Sequence, residues 1–468
     1  MDWPSRIKAR QGPLYLAISE LIAQDIGTGI LRPGEKLPPH RELAYKLGVT
    51  IGTVARAYND ATERGLVVGE VGRGTFVTEN VERTSETTHL VVQDDADRAE
   101  VIDLGLNLSA SGECETMFRD TLDKLGEQID CNSILRYQPA AGMHAHRVAA
   151  AAWLSRFGFK PDCQSVVICN GGQHGVFLSL MAVASHGDSI VTEPLTYPGA
   201  KAAAQQLNLN LIGSAMDSSG LIPEALREIC RLRHPKAIYT MPVLQNPTTV
   251  TATQERLEEI AEIAREYDLW IIEDDVYGFL EPVRPSPLAA IAPERTIYIS
   301  SASKCMAPGL RVGFLHVPER LLHTIQDLAA MTNWMSSPLL VEIVALWISN
   351  GNADHLVSWH RIQARMRQDI ARKVLGDHLH APPLSSYHLW LPLPETWRMD
   401  TFATAALREG IRVITADAFA VKRDHAPHAV RLCLGAAFST QQIEAALLKL
   451  VGLIDNPPRQ RMDLEMIL

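Results

Sequence analysis

Apolar residues recur at helical spacing near the start of the chain. In "PLYLAISELIAQDIG", residues 13–27, Leu14, Ile18, Leu21, Ile22 and Ile26 share one helix face, and Gly27 and Gly29 stand as stop signals. "RPGEKLPPHRELAYKLGV" follows, with a Pro-Gly turn, a Pro-Pro start and a short amphipathic helix from His40 to Leu47 that Gly48 ends. Thr50 is placed to cap a third helix running to Arg64, and Gly65 closes it. "LVVGEVGRGTFV" then sets two β-branched runs around a glycine-rich tip, the pattern of a hairpin. Three helices and a hairpin within residues 1–79 predict a winged helix-turn-helix of α+β type.

The pattern then changes twice. Residues 80–100 are polar, acidic and rich in Ser and Thr, which reads as a linker or as a surface excursion of one large domain. Beyond residue 101, apolar runs ("SVVIC", "SIVTE", "AIYTMP", "LWIIEDD", "TIYISS", "RVGFLHV") alternate with helical stretches, the signature of an α/β unit with a mainly parallel sheet. From about 340 longer helices precede "YHLWLPL", "IRVITAD" and "VRLCLG", predicting a smaller α+β subdomain over roughly 340–455 and a tail at 456–468. The expected layout is therefore multidomain: winged helix, linker, and an α/β unit over 101–455.

Composition narrows the class. The 468 residues exceed one ordinary core, and 46% hydrophobic with 21% charged residues is a soluble globular profile. Seven scattered cysteines, never at CxxC spacing, indicate neither a disulfide framework nor a zinc site and fit a reducing cytoplasm. The chain shows no apolar signal core, and no apolar run reaches the roughly 18 residues of a membrane span, so it is expected to be neither secreted nor embedded. A net charge of -10 argues against a nucleic-acid-binding surface overall. Residues 1–80 nevertheless hold ten Lys and Arg against nine Asp and Glu, leaving the acidic excess to the remainder.

In a helix-turn-helix the second helix of the pair enters the major groove by its N-terminal residues, while the first braces against the backbone. Here that helix begins "TIGTVARAYNDATERG". Such a module can also serve dimerisation or protein contact alone. The stretch "GILRPGEKLPPHRELAYKLGVTIGTVARAYNDATERGLV", followed by "GRGTFV", resembles the GntR family of winged-helix repressors. The resemblance implies operator DNA as a partner. It carries contacts onto Arg41, Thr50, Thr53 and Arg56 of the helix pair and onto Arg73 and Gly74 at the wing tip. Arg and Thr reach phosphates, and a wing-tip glycine lets the backbone approach the groove. Ile51-Gly52 stands where family members commonly have a polar or basic pair, which shifts the expected specificity towards shape and wing contacts.

The second half carries a different chemistry. Pyridoxal phosphate needs an amine, an acid at its ring nitrogen, donors for its phosphate and a partner for its phenolic oxygen. Lys304 in "SSASKCMAPGLRVGF" is a candidate amine, since a lysine near cations can be tuned towards its neutral, nucleophilic form; most lysines are simply solvated charges. Asp274 ends the apolar run "LWIIEDD", where open parallel sheets usually meet ligands, and Tyr277 follows three residues on. Helix capping or a surface ion pair would equally account for Asp274 and Asp275 on their own. "CNGGQHG" joins a strand to an apolar helix, a place where backbone N–H groups hold anions, although many such turns bind nothing. Ser301, Ser303 and Arg311 add hydroxyls and a bidentate cation. Asn246 can bond the phenolic oxygen or start a turn, and Tyr197 can stack on a ring or pack in a loop.

Together "YQPAAGMHAHR", "NGGQHG", "EPLTYPG", "QNPTT", "EDDVYG", "SSASKCMAPGLRVG" and "VRLCLG" resemble, in order, the fold-type I aminotransferases. The resemblance implies pyridoxal 5'-phosphate as cofactor, with Lys304 as the aldimine lysine and Asp274 at the pyridinium nitrogen. Asn246 and Tyr277 would face the phenolic oxygen, and Gly172, Gln173, Ser301, Ser303 and Arg311 would hold the phosphate. Tyr137 resembles the tyrosine given to the neighbouring subunit's phosphate, implying a homodimer, and Arg431 resembles the arginine for a substrate carboxylate. "NPTT" replaces the commoner NPTG, placing Thr249 on the substrate side, and Gly172 stands where Ser or Ala is frequent. A GntR-like winged helix joined to this unit resembles the MocR-type regulators. That implies a head-to-tail dimer regulating transcription, whose aminotransferase-like unit, with little or no turnover, senses the cofactor or a small amino compound. The alternatives are a working aminotransferase with an appended DNA-binding module, or a cofactor-free dimerisation scaffold.

Overall fold

The computed structural model describes residues 3, 14–27, 30–32, 34–63, 66–70, 74–77, 101–109, 113–128, 130–379, 383–422, 426–435 and 439–457. The chain forms two compact units, Met1–Thr88 and His89–Leu468. The expected linker at 80–100, Arg64, Gly65, Arg73, and all but the first two residues of the 456–468 tail lie outside the described residues.

The first unit holds α1 (Leu14–Gly27), α2 (His40–Leu47), α3 (Ile51–Glu63), β1 (Val67–Glu70) and β2 (Gly74–Val77). The strands pair antiparallel with Val67 opposite Val77, so the hairpin is as the sequence predicts. Ile18, Leu21 and Ile22 of α1, Leu43 of α2, Val54 and Ala57 of α3, and both end valines bury into one core. The α2 helix stops at Gly48, whose φ of +66° places it in the left-handed region and turns its N–H back to the Ala44 and Tyr45 carbonyls. Thr50 begins the next helix by accepting from the Thr53 N–H at 3.1 Å. This capped turn sets α3 against α2, and Tyr58 locks it by donating its hydroxyl to the Pro38 carbonyl at 2.8 Å.

In the second unit, short β-branched and aromatic runs form a seven-stranded sheet. Its strands are β3 (Val166–Cys169), β4 (Ser189–Thr192), β5 (Asn210–Gly213), β6 (Ala237–Thr240), β7 (Trp270–Asp274), β8 (Thr296–Ser301) and β9 (Gly313–His316). They lie in the order β3-β9-β8-β7-β6-β4-β5. All neighbours are parallel except β9, which runs antiparallel to both β8 and β3. Strand β5, an edge, is absent from the sequence expectations because "NLNLIG" mixes asparagine into a half-exposed run. The smaller subdomain contains the antiparallel sheet of β10 (His388–Pro392), β12 (Ala429–Cys433) and β11 (Ile414–Thr415), in that order. Helices Asn352–Leu375 and Thr440–Asp455 cover it, the latter begun by a capping box of Ser439 and Gln442. The beginning of the unit also returns here: Ile102–Asp103 pairs with Ile411–Arg412, and Leu104 is buried in the subdomain's core.

The carboxyl end of β7 explains much of the sheet's local order. "EDD" points three acids to three destinations, in keeping with the two-residue period of a strand. Glu273 accepts from the Leu288 and Ala289 N–H groups at 3.0 and 2.9 Å, while Asp275 meets Arg284 at 2.5 Å and the Tyr298 hydroxyl. Both Asp274 and Asp275 are buried, so neither is the surface ion pair or helix cap that the sequence left open.

Asp275→Ala would leave the buried Arg284 guanidinium without its partner. The second unit should lose about 3–5 kcal/mol in urea denaturation. Glu294→Ala, which removes an exposed pair with Arg265, should cost less than about 1 kcal/mol.

Candidate functional site

The carboxyl ends of β6, β7 and β8 and the turns after β3 and β4 open into one cavity of about 290 Å³. Open parallel sheets bind ligands at this edge because strand ends and helix starts leave backbone groups unpaired there. Lys304, Asp274, Tyr277, Asn246, Tyr197 and Arg431 all line it, as do Gly172, Gln173, Ser301, Ser303 and Arg311. Tyr137 does not: it is 80% exposed and packs its ring 5.4 Å from that of Trp334.

Lys304 sits in a one-turn helix, Ala302–Cys305, that follows β8 because the Ser301 hydroxyl accepts from the Ser303 N–H at 3.2 Å and turns the chain. Its Nζ donates to the Asn107 carbonyl. Burial lowers its pKa from 10.5 to about 8, helped by the Arg431 and Arg311 charges. Across the cavity, Asp274 accepts from the Tyr239 hydroxyl at 2.7 Å through Oδ2, while Oδ1 is buried with no hydrogen-bond partner among the described residues. Burial raises this carboxyl to about 7, against the pull of the Tyr239 bond.

One wall is built for an anion. Gly171, at φ +77°, opens the helix Gly171–Val183, and a Cβ there would lie 2.8 Å from the Arg311 guanidinium. Arg311 donates to Ser303 Oγ and to the Asn170 carbonyl, each at 3.2 Å. Gln173 donates to the Gly199 carbonyl at 3.0 Å and keeps a buried Oε1 without a partner among the described residues. Burial also raises the Tyr197 hydroxyl to about 12, so it stays a neutral donor against the cavity.

The opposite wall comes from the smaller subdomain. Arg431 donates to Asn246 Oδ1 at 2.9 Å and to the Gly105 carbonyl at 2.5 Å, with its guanidinium 4.7 Å from the Phe419 ring. Its buried Nε has no partner among the described residues. Asn107 Nδ2 donates to the Tyr277 hydroxyl at 2.8 Å and stands 3.2 Å from His388 Nδ1. The other ring nitrogen of His388 faces the Gln245 carbonyl at 3.3 Å, which makes Nε2 the donor and Nδ1 the acceptor. Burial and the Arg431 charge push this histidine down to about 3, so it is neutral. Asn107, Gly105, His388, Tyr239 and Phe419 escaped the sequence reading. "LGLNLS" offers no motif, and His388 reads as one residue of an amphipathic strand.

In the first unit Arg41 is exposed on α2. Thr50 and Thr53 share a 2.8 Å hydroxyl contact, so part of their hydrogen-bonding capacity is turned to each other. Arg56 is exposed but lies with its guanidinium 4.8 Å from the Tyr15 ring, and Gly74, at φ +118°, backs onto the Lys36 side chain. Tyr45 on α2 is 90% exposed, and no motif in the sequence marks it.

The lowered Lys304 pKa has a kinetic consequence. The rate at which added pyridoxal phosphate generates a visible band should rise as pH passes through about 8, because the neutral amine is the nucleophile, and should level off above it. A stopped-flow pH profile centred instead near 10.5 would mark an ordinary solvated lysine.

Residues 14–77 match the bacterial regulatory proteins of the gntR family, and residues 99–450 match aminotransferase class I and II. The HTH-type transcriptional regulator YdeF of Bacillus subtilis is 29% identical over 456 residues, covering 97% of this chain and 97% of that protein. The HTH-type transcriptional regulator TauR of Rhodobacter capsulatus is 26% identical, over 79% of this chain and 81% of its own length. A crystal structure of an archaeal alanine:glyoxylate aminotransferase matches with a TM-score of 0.71 at 25% identity, over 80% of this chain and 93% of that one. The class I and II fold implies pyridoxal phosphate. The donor set fits it: a carboxylate oxygen without a partner among the described residues for a ring nitrogen, an arginine-and-glycine cradle for a phosphate, and a lysine amine in the same cavity. By its long match the chain belongs to the class I and II aminotransferase family, and with its gntR-family winged helix it is a member of the MocR type of aminotransferase-fused transcriptional regulators.

Proposed function

We propose that this chain is a cytoplasmic, DNA-binding transcriptional regulator whose second unit senses pyridoxal phosphate, or an amino compound that reacts with it, at Lys304. The observation that carries this reading is the convergence on one cavity of Lys304, the unpartnered Asp274 Oδ1, the Arg311 cradle and Arg431, in a chain that also holds a winged helix. Bound pyridoxal phosphate supplies an aldehyde that condenses reversibly with amines. Lys304 is the amine this chain offers, and its burial keeps the nucleophilic form accessible near neutral pH. Asp274 holds a proton at the ring nitrogen through Oδ1. Asn246 and Tyr277 orient the phenolic side, Tyr197 covers a ring face, and Gly172, Gln173, Ser301, Ser303 and Arg311 retain the phosphate.

Arg431 fits the carboxylate of an incoming amino acid, which makes such an acid the effector class this pocket favours. Tyr137, exposed and away from its own cavity, suits service at the cofactor of a second subunit, in a head-to-tail homodimer joined to the winged helices by the 80–100 linkers. Arg41, Thr50, Thr53, Arg56, Arg73 and Gly74 are the DNA contacts of this reading. No helix among the described residues is long and apolar enough to cross a membrane.

Operator affinity should change when the cofactor-loaded protein meets its amino-acid effector, and the effector should bind with reciprocally altered affinity in the presence of operator. Fluorescence anisotropy with a panel of amino acids checks this; an affinity unmoved by every amine, with the cofactor demonstrably bound, rejects the sensor. Release of a keto acid in the same samples would mark a working aminotransferase instead. Lys304→Ala should abolish both the visible band and the effector response while leaving operator binding. Arg41→Ala should weaken operator binding across sequences and reduce the salt slope by about one ion.

A further inference from the structure

Tyr277 lines the cavity, and its hydroxyl accepts from Asn107 Nδ2 at 2.8 Å while donating to no atom among the described residues. Its proton is therefore left for the cavity. Whether it stays there depends on which end of the Asn107 amide faces it, because an amide nitrogen gives a proton and an amide oxygen in the same place would take one. The amide is not held by its own oxygen: Oδ1 is buried with no hydrogen-bond partner among the described residues. Turned over, the amide would satisfy Oδ1 with the Tyr277 proton and take from the cavity its donor.

What opposes that turn is His388, fully buried on β10. Its Nε2 faces the Gln245 carbonyl at 3.3 Å, an oxygen that also accepts from the Thr249 N–H at 2.6 Å. A ring nitrogen opposite a carbonyl has to carry a proton, since two lone pairs facing each other repel. Burial and then the Arg431 charge, with Lys304 behind them, push the ring's pKa down to about 3, so it holds a single proton. With that proton on Nε2, Nδ1 is bare. Asn107 Nδ2 stands 3.2 Å from it, and the Ser386 hydroxyl, which accepts from the His388 N–H, stands at 3.5 Å. The amide nitrogen is the nearer donor, and turning the amide over would set an oxygen against a bare nitrogen. We propose that His388 is a positioning residue for the cofactor's phenolic oxygen: its fixed tautomer holds the Asn107 amide nitrogen towards Tyr277 and so directs the Tyr277 proton into the cavity. This rests on the pyridoxal phosphate reading of the same cavity.

A donor on the phenolic oxygen stabilises its anionic form and lowers the pH at which the visible band of the bound cofactor titrates. In absorbance titrations of the full-length, cofactor-loaded protein, His388→Phe should raise that midpoint by about one unit, a tenfold change in proton affinity. His388→Gln, whose side chain offers an oxygen to Asn107 and a nitrogen to the Gln245 carbonyl, should bring it most of the way back. In a Tyr277→Phe background, His388→Phe should move the midpoint no further, because the proton it directs is gone. Histidine-selective 15N NMR of the protein without cofactor should find His388 as the Nε2–H tautomer between about pH 5 and about pH 8, and this decides the matter if His388→Phe does not fold. The proposal is overturned by a midpoint unmoved in His388→Phe, by a shift as large in His388→Gln, by a shift that persists in the Tyr277→Phe background, or by the Nδ1–H tautomer. A parent protein that forms no visible band with pyridoxal phosphate overturns the cofactor reading and this inference with it, whereas an unmoved midpoint with the band present overturns this inference alone.

Discussion

A carboxylate removed from water must find donors or take up a proton, and the second unit is arranged around one that has found only half its donors. Asp274 is fixed by the last hydrogen-bonding register of β7 and held on one oxygen by Tyr239 from β6. Asp274 lines the cavity, and its other oxygen has no hydrogen-bond partner among the described residues. Glu273 ties down the N–H groups of Leu288 and Ala289, and burial pushes it up to about 8. Asp275 is neutralised by Arg284. Each flanking acid thus fixes the strand end in a distinct direction, and Asp274 is left with a preset orientation and an unmet acceptor.

The second constraint is that the cavity needs residues from both ends of the unit. The strand Ile102–Asp103 joins the small subdomain, and the few residues after it carry the Gly105 carbonyl to Arg431 and Asn107 to Lys304, Tyr277 and His388. Asn107 is therefore a junction: its carbonyl holds the amine, and its amide donates to the tyrosine. A shift of the small subdomain relative to the large sheet would be felt at Lys304, Tyr277 and Arg431 together. That is the kind of element through which ligand chemistry can bias a conformational equilibrium, provided the ligand contacts differ between the two arrangements.

Local patterns made the elements readable. The helix-turn-helix declared itself through Gly48 and Thr50, because a left-handed stop and a hydroxyl cap leave residue-type signatures. The parallel strands did so through continuous β-branched runs, and the cofactor wall through "NGGQHG" and "SASK", where glycine and serine are needed for close approach and capping. Long-range partners were illegible for an equally physical reason. Nothing near Asn107 or His388 in sequence distinguishes a junction from a loop asparagine or a strand histidine; their meaning comes from residues 170 and 281 positions away. The same holds for Tyr239, which reads as core and is the group that orients Asp274. The antiparallel sense of β9 was likewise hidden, since apolar alternation does not encode strand direction.

Burial moves the titrating groups of the cavity in one direction, towards neutrality. Lys304 falls to about 8, Asp274 rises to about 7 and His388 falls to about 3. These shifts oppose stability in definite windows. Above its unfolded value of 3.8, Asp274 holds protons better in the folded chain, so it disfavours folding progressively as pH rises towards 7. Lys304 disfavours folding fully below about 8 and ceases to do so as pH rises towards 10.5. A ligand that brings a protonated ring nitrogen to Oδ1 reverses the first term, by giving the ionised carboxylate the donor it lacks. One that engages the amine covalently removes the second. The features that make the cavity unfavourable for the chain alone are thus those that a planar, nitrogen-containing aldehyde would relieve on binding.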